Sequence, residues 1–256
     1  MTGPRLLTLQ MHSDLTRFWR NPQSRYFTLL LPIVFLMIFA AIFKGVTLVD
    51  GRAVKLTTFY VPGIMTLGII SATYVNLTVS VVQRRESGEL KRVRGTPLPA
   101  SLVIASRAAV SIIVAIVMCA VLILIGRLAY AVPIPLDSMP SLLLTIVIGA
   151  ASFCCLGFAI SSFITETDAA APLANLTVLP LYFISGVFIP ENQIPPLLHH
   201  IANFFPIRHL AQALLISFTT THGSGIRASD LLIVAAWGGA GLLIAARTFQ
   251  WSPRAG

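Results

Sequence analysis

The residues able to do chemistry are few and bunched. The densest group is RRESGELKRVRGTPLP, Arg84 to Pro99, which gathers Arg84, Arg85, Glu86, Glu89, Lys91, Arg92 and Arg94. It follows 28 residues, Leu56 to Gln83, without one charged side chain. Carboxylates ahead of cations suit a short helix, because both oppose the backbone dipole. Gly95 can take a left-handed C-cap, and Pro97 and Pro99 forbid continuation. A solvated turn with orientation charges is the plainer alternative. His199, His200 and His209 invite a zinc site, but no cysteine or acid pairs join them, so no metal is expected. Glu166 and Asp168 in TETDAA look like a proton relay, yet a helix start explains them, with Thr167 or Asp168 as its cap. Cys119, Cys154 and Cys155 lie in apolar runs, without CxxC spacing, and read as packing residues. No G-x-x-x-x-G-K-[ST], nucleophile elbow or HExxH occurs. The chain is therefore read as a non-enzyme that binds no cofactor itself.

The elements that must carry these groups are apolar. Of 256 residues, 56% are hydrophobic and 11% charged, against about 25% charged in soluble domains. The mean hydropathy is +0.85. The expectation is an all-α polytopic membrane protein, a single membrane domain over 1–256 with six transmembrane helices. The spans are Phe27–Phe43, Thr58–Val82, one within Leu102–Leu128, Leu142–Phe163, Ala170–Ile189 and Leu231–Ala246. The last has only 16 residues, so a five-span count stays open. The first apolar run, 18 residues after four arginines, is longer than a signal-peptide core of about 7–15 and reads as a retained span. Ahead of it, residues 4–25 alternate Leu7, Met11, Leu15, Phe18 and Trp19 with Asp14, Arg17 and Arg20 elsewhere, an amphipathic helix at the membrane interface. Asn21-Pro22 ends it.

Placing the N-terminus in the cytoplasm puts 12 of the 18 Lys and Arg on the inner side, counting Arg107 among them. Both termini are then cytoplasmic in a bacterial-type cell membrane, and Arg84–Pro99 is a cytoplasmic loop. The net charge of +9 is absorbed by this bias and by anionic lipid, not by nucleic acid. The segment 190–229 is apolar but broken by Pro195-Pro196 and Pro206, giving two short helices at the outer face. Asn76, Thr78, Ser80, Asn175 and Thr177 are the deep polar residues. No ionisable residue sits at mid-membrane, which disfavours ion-coupled carriage. Asn76, Asn175, Ser185 and Glu191 are candidate pathway residues; for Glu191, an interfacial position is equally open. Gly149, Gly157, Ser161, Gly238, Gly239 and Gly241 allow close helix approach, either within one subunit or between two.

RRESGELKRVRGTPLP resembles the R-E-x-G-T-L-x-x-L-x-x-T-P loop of type-2 ATP-binding-cassette (ABC) transporter permeases. Arg85, Glu86, Gly88, Leu90, Thr96 and Pro97 match, with Glu89 in place of threonine and Val93 in place of leucine. LPLYFISGVFIPENQIPPLLHHIANFFPIRHLAQALL is similar to that family's fifth span and outer helices through Ser185, Gly186, Phe188, Pro190, Pro195, Pro206 and Ala213. Near Leu214 the arginine often found there is missing. RFWRNPQSRYFTLLLP fits through Arg17, Arg20, Pro22 and Pro32. Doxorubicin-exporter membrane subunits are a similar type.

The resemblance implies that 84–99 is a coupling helix docking on a separate ATPase. Arg85, Glu86, Gly88, Glu89, Leu90, Lys91 and Arg94 would form it, with Glu86, Glu89, Lys91 and Arg94 as rim charges and Leu90 as apolar anchor. The N-terminal helix would lie on the same ATPase surface. It further implies two ATPase subunits carrying ATP-Mg, and a second permease copy or paralogue across a seam of the first and fifth spans. The expected function is export of an amphipathic, lipid-like or drug-like substrate. The rivals are an ATP-independent secondary transporter or channel and, through the histidines alone, an intramembrane enzyme.

Overall fold

The computed structural model describes residues 3–22, 26–43, 45–49, 52–95, 99–190, 193–220 and 225–249. Helix α1, Gly3–Arg20, stops at Asn21 as the Asn-Pro pair requires. Its inward stripe includes Leu7, Met11, Asp14 and Phe18, at helical spacing. Asp14 thus shares the apolar stripe, although its charge had placed it with Arg17 and Arg20 on the polar side.

A π-helical turn, Tyr26–Leu30, runs into α2, Leu31–Ile42. Strands β1 (Val46–Val49) and β2 (Arg52–Lys55) then pair antiparallel, Val46 with Lys55 and Val49 with Arg52. This hairpin was not expected. Its sequence signal is Asp50-Gly51 between alternating residues, a pair favoured in two-residue hairpin connections.

The central rod is one helix of 31 residues, Leu56–Glu86. It comprises α3 (Leu56–Ile70), a π-helical turn (Ser71–Val75) and α4 (Asn76–Glu86). At about 1.5 Å rise per residue it is about 46 Å long, well beyond a ~30 Å hydrocarbon core. Pro62 interrupts its ladder without breaking it, and Thr66 Oγ1 donates to the Pro62 carbonyl at 3.0 Å.

The rod ends at Glu86, followed by a turn at Ser87-Gly88 and the short helix α5, Glu89–Arg94. Gly88 has φ +69°, the left-handed region. Gly95, expected to hold the left-handed cap, does not lie there. The reversal comes seven residues earlier than expected, directly after α4, which carries on through Arg84, Arg85 and Glu86. Residues 96–98, with Thr96 and Pro97, lie outside the described residues.

Four further helices complete the bundle: α6 (Ala100–Tyr130), α7 (Met139–Ser161), α8 (Thr167–Ile184) and α11 (Ala228–Thr248). Between α8 and α11 come α9 (Pro196–Ala202) and α10 (Pro206–Thr219), bent by 94°. These are the two short helices expected there, and α10 buries His209, Leu210 and Leu214 in the bundle. Among the described residues four helices are long and apolar enough to cross a membrane: Leu56–Glu86, Leu102–Tyr130, Met139–Ser161 and Ala228–Thr248. Counting the bent pair gives a fifth. The expected first span is a shorter apolar helix, Thr28–Ile42, and the expected fifth carries Asp168, Pro172, Asn175 and Pro180 within 18 residues. The sixth, feared too short, has 21 residues. Asp230 stays in its first turn because His209 Nδ1 meets Asp230 Oδ1 at 2.7 Å and Arg227 lies 3.2 Å from its other oxygen.

Close helix approach falls within the subunit. A Cβ on Gly238 would lie 2.6–2.8 Å from Ser152, and one on Gly241 2.9 Å from the Leu156 backbone, so α11 and α7 cross at these glycines. Gly149 faces Leu210 and Gly157 faces the Thr73 and Tyr74 carbonyls, whereas Gly239 faces open space. The core packs Tyr60, Ile64, Met65 and Ile69 of the rod with Met118, Leu122 and Phe153 of its neighbours.

Candidate functional site

Four elements converge where the rod ends. Arg84 Nη2 donates to Asp14 Oδ1 at 2.7 Å, with side chains 8% and 6% exposed. Its Nη1 lies 3.4 Å from Glu89 Oε1. Arg17 Nη1 donates to the other Glu89 oxygen at 2.6 Å, and Ser106 Oγ donates to Asp14 Oδ2 at 3.2 Å. One network thus joins α1, the rod, α5 and α6. Arg85, fully buried, donates to the Ser161 carbonyl at 3.0 Å, to the Ile164 carbonyl, and to Glu86 Oε1 at 2.9 Å. It clasps the C-terminal end of α7, where orphan carbonyls and the helix dipole favour a cation.

The short helix is held from inside. Leu90, 3% exposed, joins Leu77, Val81, Phe158 and Ala245 in a buried cluster. Burial of a leucine is worth about 1.5–3 kcal/mol, so Leu90 anchors α5 to its own bundle. That corrects the expected apolar anchor toward a partner. Arg85 and Arg84 are likewise internal fasteners. Among the described side chains, α5 turns Lys91 and Arg92 outward, with Glu86 and Glu89 half-buried beside them. The backbone of Arg94 closes the helix.

Two cavities adjoin this hub. One, about 480 Å³, lies between the start of the first apolar helix (Thr28, Leu31), the π-turn and α4 (Ser71, Asn76), and the start of α8 (Asp168, Asn175). Asn76 and Asn175, both expected on the pathway, therefore face one space. A π-helical turn often marks a functional position, and here it borders the cavity. The second cavity, about 270 Å³, lies between α1, α4 and α6, with Arg17, Arg84 and Arg107 in its wall.

Toward the hairpin end, the same three helices close on rings. Phe188 meets Phe35 at 5.6 Å between centroids, Phe39 at 5.2 Å, Tyr182 at 6.0 Å and Phe183 at 5.3 Å. Phe39 also meets Tyr60 at 5.2 Å. Gly186, φ +77°, reverses the chain after α8 so that Phe188 tucks back. Ser185 sits in this turn, fully buried, and does not line the cavity of Asn76 and Asn175. Glu191 lies outside the described residues.

The remaining candidates have structural partners. His209 holds Asp230 and meets the Asn203 carbonyl at 2.8 Å. His199 Nε2 lies 2.9 Å from Arg208, and His200 Nδ1 lies 2.6 Å from the Pro196 carbonyl. Among the described residues no three His, Cys, Asp or Glu side chains gather as a metal site. Glu166, not Thr167 or Asp168, is the N-cap of α8, without a side-chain cap bond. Asp168 serves in the first turn, where a negative charge suits the dipole. The sequence reading missed Asp14 and Arg107 as site residues. Both had a signal: Asp14 is the sole acid before Asp50, and Arg107 is the sole charge between Arg94 and Arg127.

The profile of the family described as ABC-2 type transporter matches residues 6–219. The chain is 23% identical over 205 residues to YvfS of Bacillus subtilis (strain 168), named as a transport permease, covering 80% of this chain and 82% of that one. It is 26% identical over 151 residues to YbhR of Escherichia coli (strain K12), named as a multidrug ABC transporter permease. That match covers 59% of this chain and 41% of YbhR. The inner membrane transport permease YadH of the same strain is 22% identical over 198 residues, 75% of each chain.

Proposed function

This chain belongs to the ABC-2 type transporter family, as a membrane permease of an ABC transporter, and from that premise we propose that it exports an amphipathic, lipid-like or drug-like molecule with energy from a separate ATPase. The observation that carries the coupling part is the fastening of α5. The network of Asp14, Arg84, Glu89 and Arg17, with Leu90 beneath, ties a six-residue helix rigidly to the end of the rod. Lys91 and Arg92 remain exposed on it. A push on that helix moves the rod, and with it the walls of both cavities, which is how closure of two ATPase subunits would alternate access.

The transported molecule is assigned to the cavity of Asn76 and Asn175. Its volume of about 480 Å³ falls within the ~300–1,000 Å³ typical of small-molecule sites. Its wall sets the amides of Asn76 and Asn175, the hydroxyls of Thr28 and Ser71 and the Asp168 carboxylate beside Leu31, Val75, Val79, Ala171 and Pro172, which suits a molecule with both a polar and an apolar part. A second permease, a copy or a paralogue, would complete the path. Helices α2 and α8 each leave an apolar face uncovered, through Val34, Met37 and Ile38 and through Leu176, Leu179 and Phe183, which supports a seam there. In this reading six segments cross the membrane, both termini are cytoplasmic, and α1 lies in the inner interface.

The test is the double charge reversal Lys91→Glu with Arg92→Glu. Neither residue contributes to the buried network, so the subunit should fold and insert. Co-purification of the ATPase and ATP-driven uptake into inverted vesicles should be lost. If both survive, α5 is not the coupling element.

A further inference from the structure

We propose that the 270 Å³ cavity between α1, α4 and α6 binds an anionic phosphate group, with Arg107 as its principal ligand. The hub holds three guanidiniums, Arg17, Arg84 and Arg107, against two carboxylates, Asp14 and Glu89. Both carboxylates are taken: Asp14 by Arg84, and Glu89 by Arg17 and Arg84. Arg107 is left over. It is 6% exposed, and among the described residues no carboxylate lies within ion-pair distance of it. Its Nε is buried without a hydrogen-bond partner, and its Nη1 reaches only the Ser80 hydroxyl, at 3.5 Å. A buried cation is retained where something compensates it, and a guanidinium fork with free donors fits phosphate oxygens best.

The surroundings narrow the ligand. Asn76 and Ser111 add donors to the wall, while Val110, Val114 and Phe18 make its far side apolar. The space is below the ~300 Å³ at which drug-sized sites begin, so it takes a headgroup or a small ion rather than a whole amphiphile. Arg107 lies seven residues into α6, about 10 Å from its start. That helix exceeds the hydrocarbon core by about 16 Å; with the excess shared between its ends, Arg107 falls near the edge of the core, where a long guanidinium side chain reaches toward the lipid phosphates. The ligand chemistry is common to an anionic phospholipid headgroup and to inorganic phosphate.

The measurement is the thermal midpoint of delipidated subunit in neutral detergent. Phosphatidylglycerol, phosphatidylcholine or inorganic phosphate is added to wild type, to Arg107→Gln and to the cavity-filling Ser111→Leu. The expected result is a rise of about 5 °C or more at saturation for wild type, with apparent affinity about tenfold or more weaker in Arg107→Gln. A rise with phosphatidylglycerol alone assigns the lipid headgroup. A rise with inorganic phosphate as well assigns the free ion. Equal responses of wild type and Arg107→Gln, or no response to any additive, overturn the proposal. Should Arg107→Gln not fold, Ser111→Leu decides, since it leaves every charge in place: a response retained there refutes the site. The readout needs no ATPase and no transport, so it stands or falls apart from the proposed function.

Discussion

Replacing Arg84 by methionine is the sharpest probe of the hub. The substitution keeps most of the side chain's bulk and strands Asp14, whose carboxylate is 6% exposed and would retain only the Ser106 hydroxyl at 3.2 Å. Leaving one partner of a buried ion pair without the other costs about 3–5 kcal/mol. Asp14→Leu should cost less, about 1–3 kcal/mol, because Arg84 keeps Glu89 at 3.4 Å. The double variant removes both buried charges and should be more stable than Arg84→Met alone, since apolar replacement of a whole buried pair is often neutral. The two single costs should therefore not add, and the shortfall of the double variant from their sum is the coupling energy. Chemical unfolding of purified subunit in micelles, followed by tryptophan fluorescence, reads all four proteins. If the network is only a fastener, the double variant also keeps its ATPase coupling. Additive costs, or a double variant less stable than either single one, would refute the reasoning.

Two further outcomes follow from the geometry. Gly238→Val drives a side chain into Ser152 and should cost about 3 kcal/mol, whereas Gly239→Val meets nothing within 4 Å and should leave the melting midpoint unchanged; paired melting curves check the contrast. Asn175→Leu replaces an amide in the wall of the 480 Å³ cavity by an apolar side chain and should weaken transport about tenfold or more while leaving folding and ATPase co-purification intact, as read by vesicle uptake beside size-exclusion profiles.

The helices were legible because apolar runs and proline breaks leave little choice: Asn21-Pro22 ends α1, and Pro195-Pro196 and Pro206 fix the bent pair. The position of the charged loop was legible too, through its contrast with the neutral run before it. Its internal arrangement was not. The family resemblance treated Glu89 and Arg94 alike as rim charges and offered Leu90 to a partner, while the fold places Leu90, Arg84 and Arg85 in its own interior. Side chains of opposite sign 70 or more residues apart, as Asp14 and Arg84 are, carry no pairing signal in one sequence. The hairpin did carry one, in Asp50-Gly51, but an apolar background drew the reading to helices. Asn76 and Asn175 stand out in the sequence because amides within spans are costly enough to be informative, and they line one cavity; Ser185 lies apart from it in a buried turn, a place a small hydroxyl takes as easily.

The rings around Phe188 have a bearing on direction. They lie between the same three helices as the chamber of Asn76 and Asn175, but farther along, whereas the chamber reaches exposed Gln83 and Asp168 at its other end. Cargo resting there would find an open doorway behind it and a shut one ahead. Parting Phe188 from Phe35 and Phe39 gives up about 0.5–1.5 kcal/mol per ring pair, small enough for one power stroke and large enough to reseal unaided once the load has passed. If the chamber carries the proposed cargo, such a latch would let traffic through singly and keep an idle membrane from leaking.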